Sequence, residues 1–166
     1  MFEVLVFVYE NYWRGNACPE LAHLERKLNA AGFDTEEVQD ALNWLNDLNR
    51  AACGLQRSVP ESSNATQFTD MLLTQSPYSM RIYSPAEQKH LGAQCLGFVC
   101  FLETVGVLPT QLREIVLERA MAAPGHPVSL DDFKIIVLMV YWSLGEGPDM
   151  LILDELCDDS VHRLAH

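Results

Sequence analysis

Ser79-Met-Arg-Ile-Tyr-Ser-Pro-Ala-Glu87 joins an extended segment to a helix start within nine residues. Ser84 stands where an N-cap accepts the first free backbone N–H groups, Pro85 fits the first helical position, and Glu87 closes the capping box three residues on. Met80 to Tyr83 alternates apolar with polar, which predicts a short strand whose partner is expected near Leu55 to Val59. On that strand Arg81 and Tyr83 share one face beside the helix N-terminus, where an anion or a partner's backbone could be received. The competing reading is a strand edge on which Arg81 pairs with one of the many carboxylates.

Downstream, the helix opened at Ser84 is predicted to run to Gly106, with Leu91, Cys95, Phe98, Leu102 and Val105 on one stripe. It has no charge between His90 and Glu103, so it is expected to be mostly buried. A helix over Thr110 to Ala123 keeps Leu112, Ile115, Val116 and Ala120 on one side, and Arg113, Glu114 and Glu118 are expected on a wet outer face. Ser129 caps the next helix, whose body, Ile135-Ile-Val-Leu-Met-Val-Tyr-Trp142, is apolar around its whole circumference. Such a helix belongs at the centre of a bundle. A last amphipathic helix is read from about Met150 to Leu164.

Upstream, residues 2 to about 13 read as an apolar helix buried between other elements. A second helix starts near Pro19, carries Leu21, Leu24 and Leu28 on one face, and stops at Gly32, a left-handed C-cap. A third begins at Asp34, which makes a second capping-box pattern with Glu37. Its core face is Val38, Ala41, Leu42, Leu45 and Leu48, with Trp44 flanking. From Gly54 to Tyr78 the composition turns to Ser, Gln, Asn, Thr and Pro, which reads as a linker or long loop. The division expected is an N-terminal three-helix unit over 1–54, a polar connection over 55–78, and a strand plus helical bundle over 79–166.

With 49% apolar and 20% charged residues in 166, the chain has a globular composition and room for one real core. Its formal charge of −12 repels polyanions, and the basic residues are interleaved with acidic ones. Nucleic acid and anionic membranes are therefore disfavoured. The five cysteines are odd in number and form no Cys-x-x-Cys pair, as expected of reduced, buried thiols in a cytoplasmic protein. The apolar start carries Glu3, has no basic leader, and is followed by no small-residue cleavage site, so it reads as structure.

Chemistry-bearing constellations are few. Asp158, His162 and His166 fall on one face of the last helix, a spacing weak by itself for a metal. Glu36-Glu37 and Asp131-Asp132 lie at helix starts, where the helix dipole favours them. No phosphate loop, nucleophile or cofactor site is legible, so no catalysis is expected. The first three helices and the strand have the order of a winged helix-turn-helix, but the third turns Glu36, Glu37, Gln39, Asp40, Asn43, Asn46 and Asp47 outward. Those carboxylates would meet phosphates, which leaves the unit better suited to docking protein.

Met1-Phe-Glu-Val-Leu5, Leu28-Asn-Ala-Ala-Gly-Phe33, Ala41-Leu-Asn-Trp-Leu45 and the Ser79–Glu87 stretch, with a near-chargeless helix late in the chain, together resemble the bacterial Smg protein family. The resemblance covers nearly the whole chain. It implies a cytoplasmic bacterial setting and, since that family has no assigned catalytic or binding residues, transfers none to positions here. The reading is a mainly α protein: a helix-turn-helix-like or winged-helix-like three-helix unit and a C-terminal bundle, with at most a short two-stranded element. The expected function is that of a non-catalytic acidic adaptor for another protein, with Arg81, Tyr83, Glu36, Glu37 and Asp40 as candidate partner-binding residues. The rival is a winged-helix nucleic-acid binder using Arg81, Lys89 and Arg113.

Overall fold

A computed structural model describes residues 1–12, 21–57, 81–125 and 127–145. They form six helices: α1 (Phe2–Tyr12), α2 (Leu21–Ala31), α3 (Thr35–Arg57), α4 (Pro85–Thr104), α5 (Thr110–Met121) and α6 (Leu130–Ser143). The mainly α reading holds, and the helix read over 150–164 lies outside the described residues.

The core is organised around α6. Every residue from Phe133 to Tyr141 is buried, and α1, α3, α4 and α5 all pack against this helix. Ser129 caps it by accepting from the Asp132 N–H at 3.1 Å. The periodicity of α3 is likewise realised: Val38, Ala41, Leu42, Leu45 and Leu48 are buried, and Trp44 joins them. α2 packs on α3, and α1 is buried through Val4, Leu5 and Val8 against α3 and α6. Buried residues of all six helices belong to one continuous hydrophobic cluster or pack against it.

Gly32 ends α2 at φ 93°, the left-handed geometry its sequence position demands. At the start of α3, the Asp34 Oδ1 accepts from the Glu36 N–H at 2.8 Å. The carboxylate of Glu37, read as the reciprocal half of that cap, lies 3.2 Å from the amine of Met1.

Three expectations are corrected. Arg81 to Tyr83 adopt no strand, and Leu55 to Arg57, read as the pairing partner, are the last turn of α3. Arg81 is fixed through its side chain and needs no backbone ladder. α5 has no uniformly wet outer face: Arg113 and Arg119 are buried with the apolar residues, their charges met by carboxylates. Third, α4 is only half buried. At 100° per residue, Ala93, Gln94, Gly97, Cys100, Phe101, Thr104 and Val105 occupy an outward arc of roughly 140°, and all are exposed. Of the cysteines, Cys95 lies on the buried side of α4 and Cys100 on its exposed arc, and Cys53 of α3 is also exposed.

α4 is also interrupted. Gly92 sits at φ 68° and ψ 172°, a conformation essentially confined to glycine. The break frees the His90 carbonyl, which accepts from the Val128 N–H at 2.8 Å, while the Cys95 thiol donates to the Val128 carbonyl. The chain leading into α6 is thereby joined to α4 on both sides of the break.

Candidate functional surfaces

The capping box read from the sequence is formed in full: Ser84 Oγ accepts from the Glu87 N–H at 3.3 Å and Glu87 Oε2 accepts from the Ser84 N–H at 2.7 Å. The same Glu87 carboxylate receives the Arg81 guanidinium at 2.8 Å, and Arg81 donates through Nε to Glu114 at 2.9 Å. Glu114 in turn is held by Arg113, which reaches Glu103 at 2.5 Å. Glu87, Arg81, Glu114, Arg113 and Glu103 thus form one chain of alternating charge that straps residues 81–84 across α4 and α5. Arg81 also lies over the Tyr83 ring, 4.7 Å from its centroid.

The electrostatic consequences follow the hydrogen bonds. The Arg81 guanidinium, and then the Ser84 N–H, hold the Glu87 carboxyl down at about 2. Burial by itself would raise the Glu114 carboxyl, but the hydrogen bonds from Arg81 and Arg113 together hold it below its ordinary value. Burial pushes the Tyr83 phenol up, with Cys100 and Glu103 acting in the same direction. The phenol oxygen is buried and has no hydrogen-bond partner among the described residues. Arg81 therefore spends donors on both Glu87 and Glu114, the geometry of a clasp.

Glu36, Glu37 and Asp40 are all exposed at the start of α3. The structure does not bring them to Arg81 and Tyr83. Asp40 instead lines an open cleft of about 340 Å³ with Asn43, Trp44, Asp47, Arg119 and the 122–124 turn. Trp44 Nε1 donates to the Arg119 carbonyl at 3.0 Å, which fixes the indole and meets one of the end carbonyls of α5. His90 meets another, its Nε2 lying 2.9 Å from the Ala120 carbonyl, so this histidine caps a helix. The Arg119 guanidinium is 2.9 Å from Glu118 and 3.7 Å from Asp47. Two carboxylates and one guanidinium thus share the cleft, an arrangement suited to polar recognition and lacking a paired nucleophile and base.

Among the described residues no three His, Cys, Asp or Glu side chains converge as metal ligands. The Asp158, His162 and His166 set lies outside those residues. No helix among them is long and apolar enough to cross a membrane.

The feature missed by sequence reasoning is the outer face of α4. Phe101 and Val105 are each 50% exposed, one turn apart, and Phe101 stacks on Phe98, which meets Phe133 of the core edge-on. Absence of charge signalled a mostly buried helix, whereas α4 leaves one whole arc exposed. The burial of Arg113 had no local signal either, since Glu103 is ten residues away.

The chain is 54% identical over its full length to the "Protein Smg homolog" of Leptothrix cholodnii, and 52% to that of Methylibium petroleiphilum, covering all of each. A Smg homolog of Aromatoleum aromaticum is 43% identical, with 99% of this chain and 97% of that protein covered. No solved structure matches. The model of one family, described as "Protein of unknown function (DUF494)", matches residues 1–166, and the chain belongs to that family, whose resemblance was already carried by the capping-box stretch and the Leu28–Phe33 turn.

Proposed function

We propose that this protein is a non-catalytic acidic adaptor, working in the cytoplasm, that binds another protein across the outer face of α4. The observation that carries the reading is the exposure of an uncharged helix face holding Phe101 and Val105 in a chain of net charge −12. Charge is abundant elsewhere, and a solvated face of α4 would be expected to share it. Large apolar side chains left exposed together on an uncharged face favour an interaction site. The strap at 81–84 is pinned to α4 through Glu87 and to α5 through Glu114.

Nucleic-acid binding finds less support. Of its three proposed cations, Arg81 and Arg113 are already engaged by carboxylates, and the outward face of α3 presents Glu36, Glu37, Asp40 and Asp47. Phosphate contacts would have to displace those pairs.

A photo-crosslinking residue placed at Phe101, with Glu36 as the control position, tests the reading in cells. A nuclease-resistant protein adduct specific to position 101 is expected. Equal capture at both positions, or adducts to nucleic acid alone, would overturn it.

A further inference from the structure

Resting on the adaptor reading, we infer that the occupant of the α4 face is an amphipathic helix of the partner protein whose apolar seam is flanked by Lys and Arg. Ala93, Gly97, Phe101 and Val105 follow one another at four-residue spacing, which makes them a single ridge line along the helix. The line is low at its first two positions and high at its last two. A Cβ built on Gly97 would meet nothing within 4 Å, so the notch is open to an incoming side chain. Small residues at such a line let a second helix approach closely, and the adjacent aromatic supplies an anchor. The uncharged arc is long enough for an i, i+3, i+4, i+7 set of apolar side chains to lie along it.

Charge selects among helices with such a seam. Glu103 and Glu114 are shared with Arg113 and Arg81, so the chain of three carboxylates and two guanidiniums along α4 and α5 keeps one net negative charge, and the Glu114 side chain is half exposed at 49%. Asp131 and Asp132 lie in the first turn of α6, whose neighbour Lys134 is buried with its ammonium 5.8 Å from the Phe98 ring. The field of the whole molecule is negative. Cationic flanks would complement these surroundings, whereas a second copy would carry the same net charge of −12.

The test uses the full chain and two synthetic helical peptides of about 18 residues with the same leucine seam, one flanked by Lys and Arg and one by Glu. The basic peptide is expected to bind at least about tenfold more tightly than the acidic one. Phe101→Asp should weaken that binding by about tenfold or more while the circular dichroism melt stays in place. Gly97→Leu, which fills the notch without touching the core, should do the same and serves if the first variant folds poorly. Equal binding of both peptides would overturn the charge argument. Basic-peptide binding unchanged in both variants would mean that the peptide coats acidic surface elsewhere, and would overturn the site. A dimer in light scattering that Phe101→Asp turns into monomer would assign the face to a second copy. Should position 101 capture a protein in cells while neither peptide binds, the basic-helix inference fails and the adaptor reading stands.

Discussion

α4 and α6 read alike in the sequence, each with a long run free of charge, yet one is enclosed and the other is a wall. Every side of α6 from Phe133 to Tyr141 meets another helix. α4 buries Leu91, Cys95, Val99 and Leu102 and leaves the opposite arc in water. Hydrophobic content says that a helix tolerates burial. The number of neighbours available to cover it is decided by the rest of the chain, and α4 packs mainly on α5 and α6 among the described helices.

The largest test of the contrast is a matched truncation. Phe133 of α6 is fully buried, so Phe133→Ala should cost about 3–5 kcal/mol, read as a lowered denaturant midpoint. Next comes the interruption that only α4 possesses. Gly92→Ala forces a β-carbon onto a backbone at φ 68° and ψ 172° and should cost about 1–3 kcal/mol; the limiting factor is this backbone geometry, because Pro127 Cβ would be an ordinary 3.8 Å away.

A smaller effect is expected where α4 is anchored by charge. Glu87→Gln weakens both the capping box and the Arg81 pair and should cost about 1 kcal/mol near neutral pH. The pH dependence has a definite sign. In the folded chain this carboxyl is lowered from its ordinary 4.5 to about 2, so its stabilisation is present above 4.5 and fades as the pH falls towards 2. Thermal melts of the parent across that window should therefore drop more steeply than those of Glu87→Gln. The smallest change is expected at Phe101→Ala, the partner of the first experiment: about 1 kcal/mol or less, because half of the ring is already in water. A loss as large as that at Phe133 would erase the distinction between wall and core.

What the sequence made legible was local. Ser84, Glu87 and Ser129 announce caps through short spacing, Gly32 announces a helix end, and Val38 to Leu48 announce a buried stripe by period. The misreadings concern distance. The carboxylate pairing read for Arg81 does form, with Glu87 six residues away, but its second partner, Glu114, is thirty-three residues away and no local pattern points to it. Gly92 looks like any glycine in a helix until Val128 is seen taking the hydrogen-bonding role at His90. For the same reason the surface on α4 was hidden: exposure is a property of the assembled fold, while the absence of charge was read residue by residue.

The graft of Val128 onto His90 has a kinetic consequence. A continuous helix grows by adding hydrogen bonds to near neighbours, but here the bond that completes the first segment of α4 must await a residue delivered after α5 has turned back. Closure of that long loop thus couples the end of one helix to the start of another, and the Val128 amide should exchange with solvent only when both helices open together.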